Sequence, residues 1–158
     1  MKADIQNGQK VLIYGASGGV GTYAIQIAKN FGAHVTGVCS TTNQELVKSL
    51  GADMVIDYTK DDFTKSNEIY DIIFDAVGKR YSSKLQYKKV LSPGGKCISV
   101  DDGHPKIHID ELAELINLTE TGNLITVIDK IYPLEQTGEA QRYVEKGHKK
   151  GNVVIKIN

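Results

Sequence analysis

What this sequence lacks removes several function classes before any motif is read. Its 158 residues contain no apolar run near the ~20 residues that a membrane span requires. Lys plus Arg and Asp plus Glu both number 19, so the formal net charge is zero, and no basic stripe or cationic tail marks a nucleic-acid binder. Cys39 and Cys97, the only two cysteines, have no C-x-x-C or Cys/His neighbours and fall inside expected strands. They read as buried free thiols rather than a disulfide or a zinc site. No signal-peptide core follows Met1-Lys2-Ala3-Asp4, as expected of a cytosolic chain. No nucleophile–base pair or acid–base dyad stands out. The length accommodates one domain with a real core and is too short for two full ones.

What is present starts at Lys10-Val11-Leu12-Ile13-Tyr14. This apolar run leads into Gly15-Ala16-Ser17-Gly18-Gly19-Val20-Gly21 and then into helical spacing, with Val20, Ala24, Ile27, Ala28 and Phe31 on one expected face and Gly32 as a stop. Strand, phosphate loop and helix start follow one another. The strand carries the chain to a sheet edge, the glycines admit a pyrophosphate, and the first helical turn offers unpaired N–H groups and a positive dipole end. A strict G-x-G-x-x-G would place Gly at Ala16, so the loop gains its weight from context, above all a second strand at His34–Cys39. A dinucleotide is the natural ligand.

Further strands are expected at Met54–Asp57, Tyr70–Asp75 and Lys96–Val100, with helices at Glu45–Leu50 and from about Tyr81 to Leu91. Alternation of short strands and helices implies an α/β, Rossmann-like doubly wound parallel sheet of five or six strands with helices on both faces. Residues 1–100 form the expected dinucleotide-binding core. Residues 101–158 form an extension: a helix carrying Leu112, Leu115 and Ile116 up to Gly122, a strand at Ile125–Ile128, a helix at Glu135–Lys146 and a strand at Val153–Ile157. Asp57 and Asp75, at strand ends, read as caps or turn formers rather than catalysts. Pro105 argues against a helix that would pair His104 with His108 as metal ligands. The basic cluster of Lys146, His148, Lys149 and Lys150 is explained by a helix carboxyl terminus.

The end of the second strand bears on the cofactor. An Asp or Glu there would bind the ribose hydroxyls of NAD and repel a 2′-phosphate; Ser40, Thr41 and Thr42 stand there instead, which suits NADP, although no Arg is present to clamp a phosphate. Thr42-x-x-Glu45 also reads as a capping box. The glycine spacing fits short-chain dehydrogenases as well, but none of the eight tyrosines has the Lys four residues on that those enzymes need.

These motifs together resemble the carboxyl-terminal half of zinc-independent medium-chain dehydrogenase/reductases of the quinone oxidoreductase type. The matching pieces run in order: residues 11–22, Gln26-Ile27-Ala28-Lys29, Leu50-Gly51-Ala52-Asp53, Asp57-Tyr58, Asp75-Ala76-Val77-Gly78, Leu91-Ser92-Pro93-Gly94-Gly95, and Tyr132-Pro133-Leu134 through Gly151-Asn152-Val153-Val154. The resemblance implies that Ser17, Gly18, Gly19 and Val20 cradle the pyrophosphate of NADP(H). Ser40, Thr41 and Tyr58 would line the 2′-phosphate pocket, Val77 and Gly78 would border the nicotinamide, and Ser99 and Val100 would end a strand beside it. Many relatives carry Arg where Thr42 stands here. It further implies hydride transfer from NADPH to a small quinone or activated alkene, with no catalytic side chain and no metal ligand in this half. The family's amino-terminal domain, which completes the substrate cleft, has no counterpart in these residues. The alternative is a non-catalytic or truncated NADP(H)-binding module. Because the last strands look like parts of the missing domain, unpaired edges are expected, and with them a homo-oligomer or a mobile carboxyl terminus.

Overall fold

Val11, Leu12 and Ile13 are almost wholly buried because β1 (Lys10–Tyr14) is the middle strand of a five-stranded parallel sheet. The computed structural model describes residues 3–78, 84–103 and 109–157. β1 is flanked by β2 (His34–Cys39) and β4 (Tyr70–Asp75), with β3 (Met54–Asp57) outside β2 and β5 (Leu91–Ser99) outside β4. The order is β3-β2-β1-β4-β5, the doubly wound arrangement, with its reversal point between β1 and β4.

Alternation along the strands sends side chains to two cores. Val11, Ile13, Val35, Cys39 and Ile72 pack with Ile25 and Ala28 of α1 (Gly21–Asn30) and Val47 of α2 (Gln44–Ser49). On the other face Leu12, Val38 and Ile73 pack with Phe63, Tyr87 and Val90. Gly37 is required where α2 crosses β2: a Cβ there would stand 2.5 Å from Val47 Cγ1 and 3.1 Å from Ala16 Cβ.

Several expected features are corrected. The face of α1 that enters the core is centred on Ile25 and Ala28, while Val20 is half exposed. Thr42 and Glu45 form no capping box; a short 3-10 turn at Thr41–Asn43 precedes α2, and its Thr42 hydroxyl lies 3.3 Å from that of Ser40. The Ser92-Pro93-Gly94-Gly95 stretch does not end a helix. It belongs to β5 as an irregularity, since Tyr70 pairs with Leu91 whereas Ile72 pairs with Lys96. Before it, α3 (Lys84–Tyr87) is the described part of the helix expected from about Tyr81. Tyr81 itself, like His104, Pro105 and His108, lies outside the described residues.

In the extension, α4 (Ile109–Glu120) buries none of its residues, and Ile109, Leu112 and Ile116 are 83%, 48% and 51% exposed. The strand expected at Ile125–Ile128 instead runs as β6 (Ile128–Pro133), parallel to β7 (Asn152–Lys156), with α5 (Thr137–Glu145) between them in sequence. The two last strands therefore do not lack partners: each hydrogen-bonds the other in a separate two-stranded sheet, leaving one outer edge apiece. No helix among the described residues is long and apolar enough to cross a membrane.

Candidate functional site

The carboxyl ends of β1 to β5 converge on one edge, and all the expected site residues lie there. Backbone bonds lock that edge together: Gly15 and Ala16 N–H donate to Val38 O at 3.1 and 3.0 Å, Ala76 N–H to Tyr14 O at 2.9 Å, and Val100 N–H to Asp75 O at 3.1 Å. At the reversal point Gly15 adopts φ 79° and rests against Val77, whose side chain occupies the space a Cβ would need. Gly78 is buried, Ser99 is buried, and Val77 and Val100 present exposed side chains on the same rim.

The glycine loop has the form of an anion cradle. Gly18 N–H turns back to Gly15 O at 3.1 Å and Thr22 N–H to Gly18 O at 3.0 Å. The amides of Gly19 and Val20 have no such acceptor among the described residues. Gly21 fits because a Cβ there would lie 2.8 Å from Ala16 Cα, so only glycine allows α1 to start this close to the strand end. No acidic side chain stands in the first turn of α1 to compete for those amides. The residues present thus fit a bound pyrophosphate.

Three groups at this site were not among the expected cofactor-binding residues. Asn43 joins the loop to β2, its Nδ2 donating to Ser17 Oγ at 3.0 Å and Ser40 Oγ at 3.2 Å. The second comes from the far end of the chain. Gly151 N–H donates to Ser17 O at 2.8 Å, and a Cβ on Gly19 would lie 3.1 Å from both Lys149 Nζ and Asn152 Oδ1. Lys149 Nζ is held there by Gly151 O at 2.6 Å. The basic cluster assigned to helix-end electrostatics therefore places one ammonium against the phosphate loop, a juxtaposition 130 residues apart that spacing does not reveal.

The third is the hub around Asp57. Its Oδ2 accepts from Thr41 Oγ1 and, at 3.2 Å, from Gln44 Nε2, while Oδ1 accepts from Thr59 N–H at 3.0 Å and Thr59 Oγ1 at 2.7 Å. Hydrogen bonds from Thr41 and Thr59 hold this carboxyl well below the usual range, so it is ionised at neutral pH. Asp75 accepts from Val77 and Gly78 N–H, both at 3.0 Å. Both carboxylates are the turn formers that their strand-end positions implied. Burial first, and Asp57 second, push the Cys39 thiol up to about 11, which makes it a poor nucleophile. Tyr58, directly after β3, is 56% exposed. Among the described residues no three His, Cys, Asp or Glu side chains come together as a metal site.

The extension is fastened to α1. Gln26, almost fully buried, accepts from Ile125 N–H at 2.8 Å and donates to Ile125 O at 3.0 Å; Asn30 donates to Asn123 O at 3.0 Å, and Tyr23 Oη lies 3.0 Å from Thr126 Oγ1. From there Val127 O accepts Asn152 N–H at 2.8 Å, so the same tie carries Lys149 to the loop.

Comparison with known proteins agrees with this geometry. The family model for zinc-binding dehydrogenases matches residues 19–129. The mitochondrial NAD(P)H oxidoreductase RTN4IP1 of Mus musculus is 34% identical over 95% of this chain and 48% of its own. The chloroplastic NADPH-dependent alkenal/one oxidoreductase of Arabidopsis thaliana is 33% identical over 98% of this chain and 42% of its own. Among solved structures, the quinone oxidoreductase of Coxiella burnetii superposes with a TM-score of 0.88 at 27% identity, covering 99% of this chain and 55% of that one. The chain spans about half the length of the relatives it matches.

Proposed function

We propose that this chain, which belongs to the zinc-binding dehydrogenase family, is the NADP(H)-binding half of a reductase that delivers hydride to a small quinone or activated alkene. The observation that carries the reading is the edge where glycine loop, Lys149 and the ends of five parallel strands meet. The bound cofactor supplies the hydride; the protein binds, orients and shields it. Ser17, Gly18, Gly19 and Val20, with Lys149 beside them, hold the pyrophosphate, and Ser40, Thr41 and Tyr58 line the adenosine 2′-phosphate pocket. Val77, Gly78, Ser99 and Val100 flank the nicotinamide. The absence of any carboxylate from residues 40–44 supports NADP(H) over NAD(H). The similarity to an alkenal/one oxidoreductase and a quinone oxidoreductase supports the acceptor class. Residues 1–100 act as the dinucleotide core, and residues 101–158 complete the phosphate site. No zinc step is assigned, because the described residues provide no ligand set.

A second reading is a module that binds cofactor but turns nothing over alone; the chain spans about half the length of the relatives it matches. The exposed apolar side of α4, with Leu112 and Ile116, supports a homo-oligomer, which light scattering would detect. Thermal unfolding with NADPH or NADH tests the common core of both readings, because a ligand of the native state must raise stability. NADPH is expected to stabilise more strongly; no response to either cofactor refutes the assignment. Quinone-dependent NADPH oxidation by the isolated chain then separates the enzyme from the binding module.

A further inference from the structure

A 2′-phosphate is a dianion, and the residues that follow β2 supply it with no positive charge: Ser40, Thr41, Thr42, Asn43 and Gln44 are all neutral. Thr41 is also committed elsewhere. Its single hydroxyl proton goes to Asp57, so it turns lone pairs toward any further oxygen and serves a phosphate poorly. A phosphate-binding pocket built this way needs a cation from a neighbouring segment.

The end of β3 is that neighbour. Cys39 and Asp57 are paired in register, and Tyr58 N–H donates to Cys39 O at 3.1 Å, so residues 58–60 leave the sheet alongside residues 40–42. Lys60 is pinned there by its own N–H on Asp57 O at 3.0 Å. Its ammonium sits 3.6 Å from Asp57 Oδ2, the same oxygen that accepts from Thr41, and its side chain is 63% exposed. Asp57 already receives four hydrogen bonds from Thr41, Gln44 and Thr59, so releasing Lys60 leaves its charge well solvated. The ammonium can therefore swing from the carboxylate to an incoming phosphate at small cost.

We propose that Lys60 is the cation that reads the adenosine 2′-phosphate, with Asp57 as its positioning residue; this rests on the NADP(H) reading above. It places NADP selectivity on β3 rather than on the segment after β2, and accounts for a pocket whose Thr42 position lacks a basic side chain.

The test is calorimetric titration of the 158-residue chain and its Lys60→Met and Lys60→Arg variants with NADPH and with NADH. Lys60→Met is expected to weaken NADPH roughly tenfold or more, the scale of one charge-assisted contact, and NADH by less than about twofold. Lys60→Arg should keep the preference for NADPH. NADH binding by each variant doubles as the check that it is folded. A wild-type preference that survives unchanged in Lys60→Met, or an equal loss for both cofactors, overturns the role of Lys60 while leaving cofactor binding standing. A wild-type chain that binds neither cofactor, or shows no preference between them, overturns the NADP(H) reading and Lys60 with it.

Discussion

Replacing Gln26 by Leu tests whether the carboxyl-terminal extension is an integral part of the cofactor site. Gln26 is 6% exposed and is one of the buried residues of α1. Its amide spans Ile125 in both directions, at 2.8 and 3.0 Å, and also donates to Thr22 O at 2.9 Å. Leucine preserves the volume and removes all three bonds. Each bond is worth about 1 kcal/mol net, and the apolar burial of the leucine side chain offsets part of that sum and of the desolvation left at the Ile125 N–H and C=O, so a loss of about 2–3 kcal/mol is expected. For a chain of this size that lowers the melting temperature by roughly 5–10 °C. The effect should also propagate. Ile125 leads directly to Val127, whose carbonyl accepts Asn152 N–H, and Gly151 in turn donates to Ser17 O. Loosening residue 125 therefore frees Lys149 from the glycine loop, and NADPH and NADH should weaken together. Urea unfolding, exchange of the Ile125 amide and a cofactor titration on the same variant form the assay. An unchanged urea midpoint with the Ile125 amide equally protected would refute the claim that this side chain docks the extension.

Three further changes probe other links. Lys149→Met should weaken NADPH and NADH alike, by about tenfold, because the pyrophosphate is common to both, a pattern opposite to that expected at Lys60. Gly21→Ala places a methyl group 2.8 Å from Ala16 Cα, backbone that cannot yield, and should cost about 3 kcal/mol or prevent folding, as circular dichroism would show. Asp53 gives a pH test. Partial burial pushes its carboxyl up, but Lys29 Nζ at 2.8 Å and Val35 N–H at 2.7 Å hold it below its ordinary value. A depressed native pKa contributes stability above the unfolded value of about 3.9 that is lost as pH falls through the native one. Asp53→Asn should therefore destabilise the chain at about pH 7 and converge with the wild type once the pH has fallen below the lowered native value. A difference that persists in acid would assign the loss to packing instead.

The main sheet was legible because its information is local. Val, Leu and Ile runs with Gly or Asp near their ends specify β1, β2, β3 and β4 to the residue, and Gly15 to Gly21 can only be a tight turn into a helix. Register with neighbours in a parallel sheet then puts every strand's carboxyl end on one edge, so Ser17, Ser40, Tyr58, Val77 and Ser99 had to meet. Local rules failed where a distant contact outweighed them. The Thr42–Glu45 box gave way once Asn43 turned inward to join Ser17 and Ser40, and β6 began three residues late because Ile125 was taken by Gln26. A hydroxyl's proton also has only one destination, and nothing near Thr41 in sequence says that Asp57 claims it. Strands, loop and class of ligand follow from residues a few positions apart, so they could be read in the amino-acid order. Which charges lie at that edge depends on folded contacts instead: Lys149 comes beside Gly19 from 130 residues away, and Lys60 lies beside the Asp57 carboxylate that Thr41 bonds.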